Sequence, residues 1–475
     1  MIFNSIEFAI FLPVVFGLYW WIGGKNIKAQ NILILLASYF FYGTWDIRFL
    51  GLICLSSIID FVIGGKIESE SSPITRKKLL YLSLALNLGF LAFFKYFNFF
   101  IDSFIDTFQF FGHSINGRSL DIILPVGISF YTFQTISYST DIYKKDIPAS
   151  RDPIEFFAYV AFFPQLVAGP IERAKQLLPQ FQLSRKFDYE LAVDGCRQIL
   201  LGLFKKVVIA DNCAALVNDI FQNYGDYDSF TLFLGGFYFL IQVYCDFSGY
   251  SDIAIGLGKL FGFRLMKNFD FPFLSRDLPE FWKKWHISLT SWFVDYVYIP
   301  LGGGRNGLNL KIRNVLIIFT ICGFWHGANW TFLFWGIFCG LSFIPYLLLG
   351  KNGRYEQVIG YNRLFPSIKE LIQMLFVLGF MSISMILFRS ENITNAYGFF
   401  IGLLKFNFTD FDPKYLELVP IAAALFVWEW MFRQRDHALE ISGLQIYLRN
   451  IIYAVFIWLI LYNFNHEVEY IYFQF

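Results

Sequence analysis

Long runs of apolar residues alternate with short polar segments along almost the whole chain. The hydrocarbon core of a bilayer is about 30 Å thick, and an α-helix needs about 20 mainly apolar residues to cross it. The runs therefore predict an all-α membrane protein with about eleven crossings, together with short interfacial or re-entrant helices. The predicted helices lie at about 5–22, 31–43, 48–64, 79–101, 154–168, 195–221, 228–245, 314–325, 327–349, 368–387, 393–404, 417–432 and 448–463.

Three segments depart from the simple pattern. The first run is as apolar as a secretory signal, but it lacks a preceding basic stretch and a following cleavage site, so we expect it to be retained as a helix. The segment 121–137, DIILPVGISFYTFQTIS, holds a proline and a glycine followed by hydroxyls, which predicts a broken or re-entrant helix. Polar residues crowd between 246 and 312, and there we expect short interfacial helices and a loop that lines a wet cavity.

The composition agrees with a membrane protein. Hydrophobic residues make up 56% of the chain, aromatic residues 21% and charged residues only 16%, which is too apolar for an ordinary soluble domain. The net charge of +1 gives no indication of a nucleic-acid partner. Six scattered cysteines without a CxxC pair are expected to be single small hydrophobes. Because no internal repeat is apparent, residues 1–475 are predicted to form a single membrane domain.

His326 stands between two tryptophans in the apolar stretch GFWHGANW. Ionisable groups in hydrocarbon are costly and are therefore usually paired or functional. One interpretation is a structural imidazole that bonds to a carbonyl and packs on its neighbouring tryptophans. Gly323 and Gly327 permit the close approach of a backbone or a ligand, however, and a dry site favours the neutral imidazole, which can take a proton from a hydroxyl. We therefore expect His326 to be a general base.

Cys322, one helical turn before His326, raises two alternatives, a metal site and a thiol nucleophile. A tetrahedral metal site needs a second pair of ligands, which the sequence does not offer nearby. A reactive thiol needs an activating partner, and none is evident beyond proximity. No metal site is predicted.

His286 is the second polar position, in FWKKWHISLTSW, with Lys283 and Lys284 before it. The motif fits a basic aromatic belt at the headgroup level, in which His286 is an interfacial anchor. Alternatively, His286 orients a donor or an acceptor, while the lysines attract a phosphate-bearing cofactor.

Two nearby polar stretches have both structural and functional interpretations. The stretch CDFSGYSDIAIG either lines a polar tunnel or supplies, through Ser251 or Asp252, a cap for the following helix. GGGRNG at 302–307 matches neither a phosphate-binding P-loop nor a dinucleotide fingerprint, so it predicts a tight interfacial turn with Arg305 as a candidate phosphate contact. The tunnel-lining candidates in the first stretch are Asp246, Ser248, Tyr250, Ser251 and Asp252.

Together these stretches resemble the membrane-bound O-acyltransferase family, and within it the bacterial branch of the alginate O-acetyltransferase membrane subunit. The resemblance covers most of the chain and is strongest in YCDFSGYSDIAIGLGKLFGF, NFDFPFLSRDLPEFWKKWHISLTSWFVDYVYIPLGG and FWHGANWTFLFWG; the ending EYIYFQF also fits. It implies about eleven helices around a tunnel, with a histidine at the narrow part that promotes acyl transfer from a thioester to a hydroxyl. His326 matches the catalytic histidine of the family by its WHG setting, and His286 matches the second one in WHISL.

The same resemblance implies substrates, partners and a location. An acyl thioester donor, acetyl-CoA or an acyl-carrier protein, would reach His326 from the cytoplasm, with no bound cofactor. A periplasmic or extracellular acetyltransferase partner would deliver the acetyl group to an exported polysaccharide such as alginate, which predicts a multi-pass protein of the bacterial cytoplasmic (inner) membrane. Trp285, Trp325 and Asn329 join the predicted tunnel lining. Candidate contacts to donor phosphates are Arg276, Lys283, Lys284 and Arg305.

Several alternatives stay open on the sequence alone. Transfer of D-alanine to teichoic acid, or of acetyl to peptidoglycan, uses the same chemistry, and the motifs do not choose between them. A transporter or channel also combines broken helices with intramembrane polar residues, but it predicts a pseudo-symmetry between halves that is not apparent. A purely structural scaffold leaves GFWHGANW unexplained.

Overall fold

The structure, a computed structural model, describes residues 1–23, 26–113, 120–305, 307–350, 353, 355, 357–408, 411–464 and 470–471. Regular structure within these residues is entirely helical, which confirms the all-α prediction. Besides the α-helices there are π-helical segments and short 3₁₀ turns. The π-helical segments are Ala92–Tyr96, Phe204–Ala210 and Val294–Tyr298, and the 3₁₀ turns are Tyr224–Asp226 and Pro413–Leu416.

Nineteen α-helices occur in the described part of the chain. In order they are α1 (Ile6–Gly23), α2 (Ile27–Gly43), α3 (Ile47–Ser69), α4 (Pro73–Leu91), α5 (Phe97–Phe110), α6 (Ile128–Lys144), α7 (Pro153–Ala161), α8 (Ala174–Gln182), α9 (Tyr189–Leu203), α10 (Asp211–Gln222), α11 (Ser229–Leu260), α12 (Leu278–Lys284), α13 (Ile287–Phe293), α14 (Leu308–His326), α15 (Trp330–Leu348), α16 (Ile368–Arg389), α17 (Ile393–Leu404), α18 (Val419–Phe432) and α19 (Ile446–Asn463).

The chain divides into two compact units. The first unit comprises Met1–Cys196 and Ala254–Met266 and contains α1 to α8. The second comprises Arg197–Ile253 and Lys267–Phe475 and contains α10 and α12 to α19. Helices α9 and α11 contribute residues to both units. The single membrane domain expected from the sequence stays a prediction.

Eight helices among the described residues are long and apolar enough to cross a membrane. Two shorter apolar helices, Ile6–Ile22 and Ile393–Leu404, raise the number of candidates to ten, where the sequence predicts about eleven. The eight longer ones are Ile47–Ser69, Pro73–Phe110, Ser229–Leu260, Leu308–His326, Trp330–Leu348, Ile368–Arg389, Pro413–Phe432 and Ile446–Asn463.

Helices α3, α4 and α6 of the first unit share a buried polar cluster centred on Asp60. Its carboxylate accepts hydrogen bonds from the Ser83 hydroxyl (2.7 Å), the Asn87 side-chain amide (2.9 Å) and the Ser139 hydroxyl (3.3 Å). A buried carboxylate is tolerated when its oxygens are occupied by donors. Because the donors come from two other helices, the cluster fixes how the three helices pack.

The predicted break in the segment 121–137 falls at Gly127, whose φ of 76° lies in the left-handed region. A Cβ at this position would lie 2.5 Å from the backbone oxygen of Leu166, so glycine is required there. Helix α6 begins at the next residue and continues beyond the predicted end to Lys144. Fourteen of its 17 residues are buried, so α6 lies inside protein rather than against lipid.

Two sequence-based boundaries are wrong. The run at 154–168 forms only the short helix α7, which ends at Ala161, because Pro164 cannot continue a helix. The helix predicted to end at about 245 is longer than expected, since α11 continues through DFSGYSD and ends at Leu260; the short helices expected between 246 and 312 are present as α12 and α13. Ser251 and Asp252 lie inside α11, so the interpretation that one of them caps a following helix is also wrong.

Candidate active site

The hairpin of α14 and α15 sets the position of His326, the last residue of α14. The backbones of the two helices touch through glycines. A Cβ on Gly323 would lie 2.3 Å from the carbonyl oxygen of Phe332, and a Cβ on Gly336 would lie 2.3 Å from that of Phe319. Only glycine allows two helix backbones to approach so closely. The contact, expected for Gly323 from the sequence, therefore fixes the end of α14 that carries His326.

His286 immediately precedes α13 and has φ 45° and ψ 53°, a left-handed conformation that costs a non-glycine residue about 1–2 kcal/mol. Asn268 binds the two residues that follow His286. Its carbonyl accepts the N–H of Ile287 (2.8 Å), its side-chain oxygen accepts the Ser288 hydroxyl (2.6 Å), and its side-chain amide donates to Ser251 Oγ (3.0 Å). His286 and Asn268 are 2% and 0% exposed, so the strained residue is fixed inside the protein.

The two histidine rings share an aromatic environment. Their centroids are 6.4 Å apart, and the Trp325 ring lies 5.0 Å from His326 and 6.0 Å from His286. The pair is thus close enough for one small substrate group to contact both. Three further rings pack edge-on against the histidines: Phe247 on His286 at 4.5 Å, and Trp335 and Phe388 on His326 at 5.5 Å and 5.2 Å.

Both histidines line one cavity of about 250 Å³. Its lining on α14 extends from Val315 through Cys322 to His326, and it also includes His286 and Lys283. Tryptophan, phenylalanine and aliphatic side chains form most of the remaining lining. We call this space the histidine cavity.

The surroundings of His286 determine its charge. Burial lowers the pKa of His286 well below its ordinary value, and the neighbouring His326 lowers it further. The His286 imidazole is therefore neutral at physiological pH and can offer one nitrogen as an acceptor and the other as a donor. This arrangement suits proton transfer and the orientation of a polar substrate group.

The two carboxylates of the DFSGYSD stretch belong to ion pairs within the second unit. Lys206 Nζ lies 2.8 Å from the carboxylates of both Asp246 and Asp211, and Lys205 Nζ lies 2.9 Å from that of Asp252. Buried charges need such partners, which explains why a helix can carry these residues in its interior. Neither aspartate lines the histidine cavity, and their tunnel role stays a prediction.

The other predicted lining residues are divided between different environments. Trp285 lines the histidine cavity, and Trp325 contacts both histidine rings without lining it. Ser248 and Tyr250 are buried on α11. Asn329 caps α15, because its side-chain oxygen accepts the N–H of Thr331 (3.1 Å).

The four residues predicted to contact the phosphates of the acyl donor differ in their exposure and in their ion pairs. Lys283 is exposed and lines the histidine cavity. Arg276 and Lys284 both pair with Glu280, at 2.8 Å and 3.0 Å. Arg305 is exposed and lies on a turn, as predicted for GGGRNG. Asn306 of this stretch lies outside the described residues. Lys283 is thus the candidate with the most direct access to a donor in the cavity.

Sequence reasoning missed the lysines that pair with the carboxylates of α11 and the asparagine that holds the backbone beside His286. The pair Lys205 and Lys206 left a usable signal, since two adjacent lysines interrupt the apolar stretch GLFKKVVIA. Asn268 left none, because an asparagine in a polar segment looks like an ordinary loop residue. The ending EYIYFQF is described only at Tyr470 and Ile471, and the Ile471 N–H donates to Asp246 (2.9 Å).

Comparison with known proteins identifies the family. The model of the membrane-bound O-acyltransferase family matches residues 32–382, which include both histidines. The chain belongs to the membrane-bound O-acyltransferase family. It is therefore a multi-pass membrane protein and an O-acyltransferase, which decides the class in favour of the enzyme.

Three similar proteins illustrate the range of relatives. The probable alginate O-acetylase AlgI of Pseudomonas aeruginosa is 39% identical over 410 residues, which cover 86% of this chain and 75% of the relative. The peptidoglycan O-acetyltransferase of Helicobacter pylori is 32% identical over 436 residues, covering 86% and 80%. The teichoic acid D-alanyltransferase of Streptococcus thermophilus is 31% identical over 249 residues, covering 49% and 58%.

Proposed function

We propose that this chain acts in the cytoplasmic membrane of a bacterium and relays an acetyl group across it for O-acetylation of an exported polysaccharide such as alginate. The donor is a cytoplasmic thioester, either acetyl-CoA or an acyl-carrier protein, which is consumed as a substrate rather than held as a cofactor. The relatives support this class of acceptor, since one is a probable alginate O-acetylase and another a peptidoglycan O-acetyltransferase, each similar over 86% of the chain.

The observation that carries the proposal is the single cavity lined by His286 and His326. Its volume of about 250 Å³ is well above the space that one water molecule needs. This is room for an acetyl group and part of its thioester arm. Lys283, exposed and in the lining, provides a cation for a donor phosphate.

The proposed reaction uses His326 as a general base. Its imidazole takes the proton of the acceptor hydroxyl as the oxygen attacks the thioester carbonyl. The C–O bond forms, the tetrahedral intermediate collapses, the C–S bond breaks, and the proton passes from His326 to the leaving thiolate. His286, which lines the same cavity, orients the donor or the acceptor. The apolar lining keeps water, a competing nucleophile, away from the thioester.

A location in the membrane explains why the acyl transfer needs such a protein. Thioesters are made in the cytoplasm, whereas exported glycans are modified outside, so the acyl group has to cross without the rest of the donor. In our proposal a periplasmic or extracellular acetyltransferase partner delivers the acetyl group to the glycan.

The test is acetyl transfer by the purified protein, measured by thiol release and by mass spectrometry of the acceptor. His326→Ala should lower transfer by about 10²–10⁴-fold, the usual contribution of a general base. His437→Ala is a matched control, because His437 is a buried histidine (3% exposed) outside the histidine cavity. Full transfer by folded His326→Ala protein would refute the assignment of the base, and unchanged transfer after His286→Ala would reduce that residue to an anchor.

Peptidoglycan is a second candidate acceptor, because the Helicobacter pylori relative covers as much of the chain, 86%, as the Pseudomonas aeruginosa relative does. D-alanyl transfer to teichoic acid has weaker support, since that relative aligns with only 49% of the chain. A parallel assay separates the three candidate acceptors. Polyuronate, peptidoglycan fragments and teichoic acid are each offered to the protein with acetyl and with D-alanyl thioesters as donors.

A further inference from the structure

Three helices of the first unit, α3, α4 and α6, come together at one end. Arg76, in the first turn of α4, donates from its guanidinium to the backbone oxygens of Ile142 and Tyr143 at the end of α6 (3.3 Å and 3.0 Å). Gly64, near the end of α3, lets α6 pack directly against that helix, because a Cβ there would lie 2.6 Å from the Tyr138 ring. The end of α3, the start of α4 and the end of α6 therefore lie side by side.

This end of the first unit carries a group of cations, which we call the basic patch: Lys66, Arg76, Lys77, Lys78 and Lys145. Lys66 lies near the end of α3, the next three lie at the start of α4, and Lys145 directly follows α6. The four lysines are exposed, and Arg76 is half-buried. None of the four lysines forms an ion pair within the part of the chain that the structure describes.

The carboxylates at the same end do not cancel this charge. Glu68 accepts the backbone N–H of Ala149 (3.2 Å), and Glu70 accepts that of Ser72 (2.8 Å). Residues 66–78 and 144–146 together contain six Lys or Arg and three Asp or Glu, an excess of three positive charges. The basic patch therefore has positive charge to offer to an anionic partner.

The basic patch lies where the exposed apolar stripes of two helices end. On α3, the exposed Val62 (46%) precedes Lys66 by four residues. On α4, the exposed Tyr81 (56%) follows Lys77 by four residues, and its ring centroid lies 5.5 Å from the Lys77 ammonium. Residues four apart share a helix face, so each apolar stripe ends in a lysine. Because both helices are long and apolar enough to cross a membrane, these lysines belong at the level of the lipid headgroups.

The backbone of Lys145 gives a second, independent indication that charge is needed at this end. Lys145 has a φ of 66°, in the left-handed region, at a position after a helix where glycine is usual because a side chain is strained there. The cap itself needs only the backbone, since the Lys145 N–H donates to the Ile142 oxygen (3.0 Å). The ammonium group therefore explains this lysine better than the fold does.

We propose that the basic patch binds the headgroup of an anionic phospholipid. The lysine ammonium groups surround the phosphate, and the acyl chains lie along the apolar stripes of α3 and α4. A phospholipid uses both features, whereas free phosphate or an acidic soluble protein would use the ammonium groups alone. Each lysine near a membrane surface adds roughly fivefold to the affinity for an anionic lipid, so the basic patch selects anionic over zwitterionic lipids. This binding does not depend on the proposed acyl transfer.

The test measures lipid binding without any acyl donor. Phosphatidylglycerol and phosphatidylethanolamine with identical acyl chains are titrated into the purified protein in detergent micelles, and bound lipid is counted by native mass spectrometry. The double variant Lys77→Gln/Lys78→Gln should lower the affinity for phosphatidylglycerol roughly 25-fold, at about fivefold for each lysine, and leave phosphatidylethanolamine binding unchanged. Lys369→Gln/Lys405→Gln removes the same charge from exposed lysines of the second unit and is the matched control.

Lys145→Gly separates binding from folding. Glycine removes the ammonium group and also relieves the strain of the left-handed backbone. This variant should bind phosphatidylglycerol about fivefold more weakly and should unfold at a higher temperature than the parent in lipid-free detergent. A lower unfolding temperature with unchanged lipid affinity would assign Lys145 to the fold and contradict its part in the basic patch.

The remaining outcomes decide between partners. A preference for phosphatidylglycerol that is lost in Lys77→Gln/Lys78→Gln but kept in the control supports the proposal. Equal phosphatidylglycerol affinity of the parent and the Lys77/Lys78 variant, at matched thermal stability, overturns it, and so does an equal loss in the Lys369/Lys405 control. Displacement of the lipid by excess inorganic phosphate would assign the patch to free phosphate. Binding of an acidic acyl-carrier protein that the Lys77/Lys78 variant loses, with lipid affinity unchanged, would assign it to a protein partner instead.

Discussion

Replacing Asn268 with alanine tests whether the left-handed backbone of His286 is held by its neighbours. The substitution keeps the main-chain bond from Ile287 but removes the side-chain bonds with Ser288 and Ser251. We expect a lower kcat with an unchanged KM for the donor, because the histidine cavity keeps its lining while His286 loses its fixed orientation.

The magnitude follows from the contacts that are lost. A buried hydroxyl without its partner costs about 1–3 kcal/mol, and the Ser288 hydroxyl is the closer of the two, at 2.6 Å from Asn268. The left-handed conformation itself is unfavourable by about 1–2 kcal/mol, so a relaxed backbone at His286 becomes the more stable one once the restraint is weakened. A difference of about 1.4 kcal/mol is a factor of ten, so kcat should fall roughly tenfold.

The assay compares kcat, KM and the thermal unfolding midpoint of the parent with three variants. Asn268→Asp keeps the acceptor for Ser288 and should lose less activity than Asn268→Ala. Asn31→Ala is the control, because Asn31 is equally buried (1% exposed) and donates to the Phe181 backbone (2.9 Å) in the first unit. The reasoning is refuted if Asn268→Ala keeps the parental kcat, or if Asn31→Ala at a similar loss of stability lowers kcat as much.

Two further predictions concern the glycine contact and the protonation of His286. Gly336→Ala should destabilise the protein by about 1–3 kcal/mol and lower transfer, because its Cβ would lie 2.3 Å from the Phe319 oxygen. Gly379→Ala, inside α16 where a Cβ meets nothing within 4 Å, should unfold at or above the parental temperature in the same thermal melt, because alanine favours a helix over glycine. Because the folded state holds the His286 pKa below its ordinary value, the unfolded chain binds the proton more readily, and the free energy of unfolding should fall as the pH drops below about 6.5. In melts between pH 7.5 and 5.5, His286→Phe should lose this part of the fall, and an identical pH dependence would contradict a buried neutral imidazole.

The pattern of apolar runs was sufficient for the architecture. Helix α17 has the predicted bounds, 393–404, and the ends of α15, α16 and α19 differ from prediction by three residues or fewer. Such runs predict well because lipid demands satisfied backbone groups over a fixed thickness, which only a helix of about 20 residues provides. The GFWHGANW motif likewise indicated His326, since a histidine in so apolar a setting needs an explanation.

The helix α11 shows where this reasoning fails. The polar residues after 245 predict the end of the helix, because a local sequence pattern carries no information about partners elsewhere in the chain. Lys206 precedes Asp246 by 40 residues and Lys205 precedes Asp252 by 47, yet the lysines neutralise these carboxylates at 2.8 Å and 2.9 Å. A paired charge no longer favours water over the protein interior, and the helix continues.

The two histidines illustrate the same limit at the site itself. Each was visible in its motif, but their separation of 6.4 Å depends on two local arrangements that hydropathy does not report. Glycine contacts between α14 and α15 set His326, and the bonds of Asn268 set the left-handed turn at His286. The first arrangement leaves no room for a side chain between the two helices. The second supplies hydrogen bonds that stabilise one strained backbone conformation. A site geometry built in this way should be sensitive to a single added methyl group at Gly336, although that residue lies outside the lining of the histidine cavity.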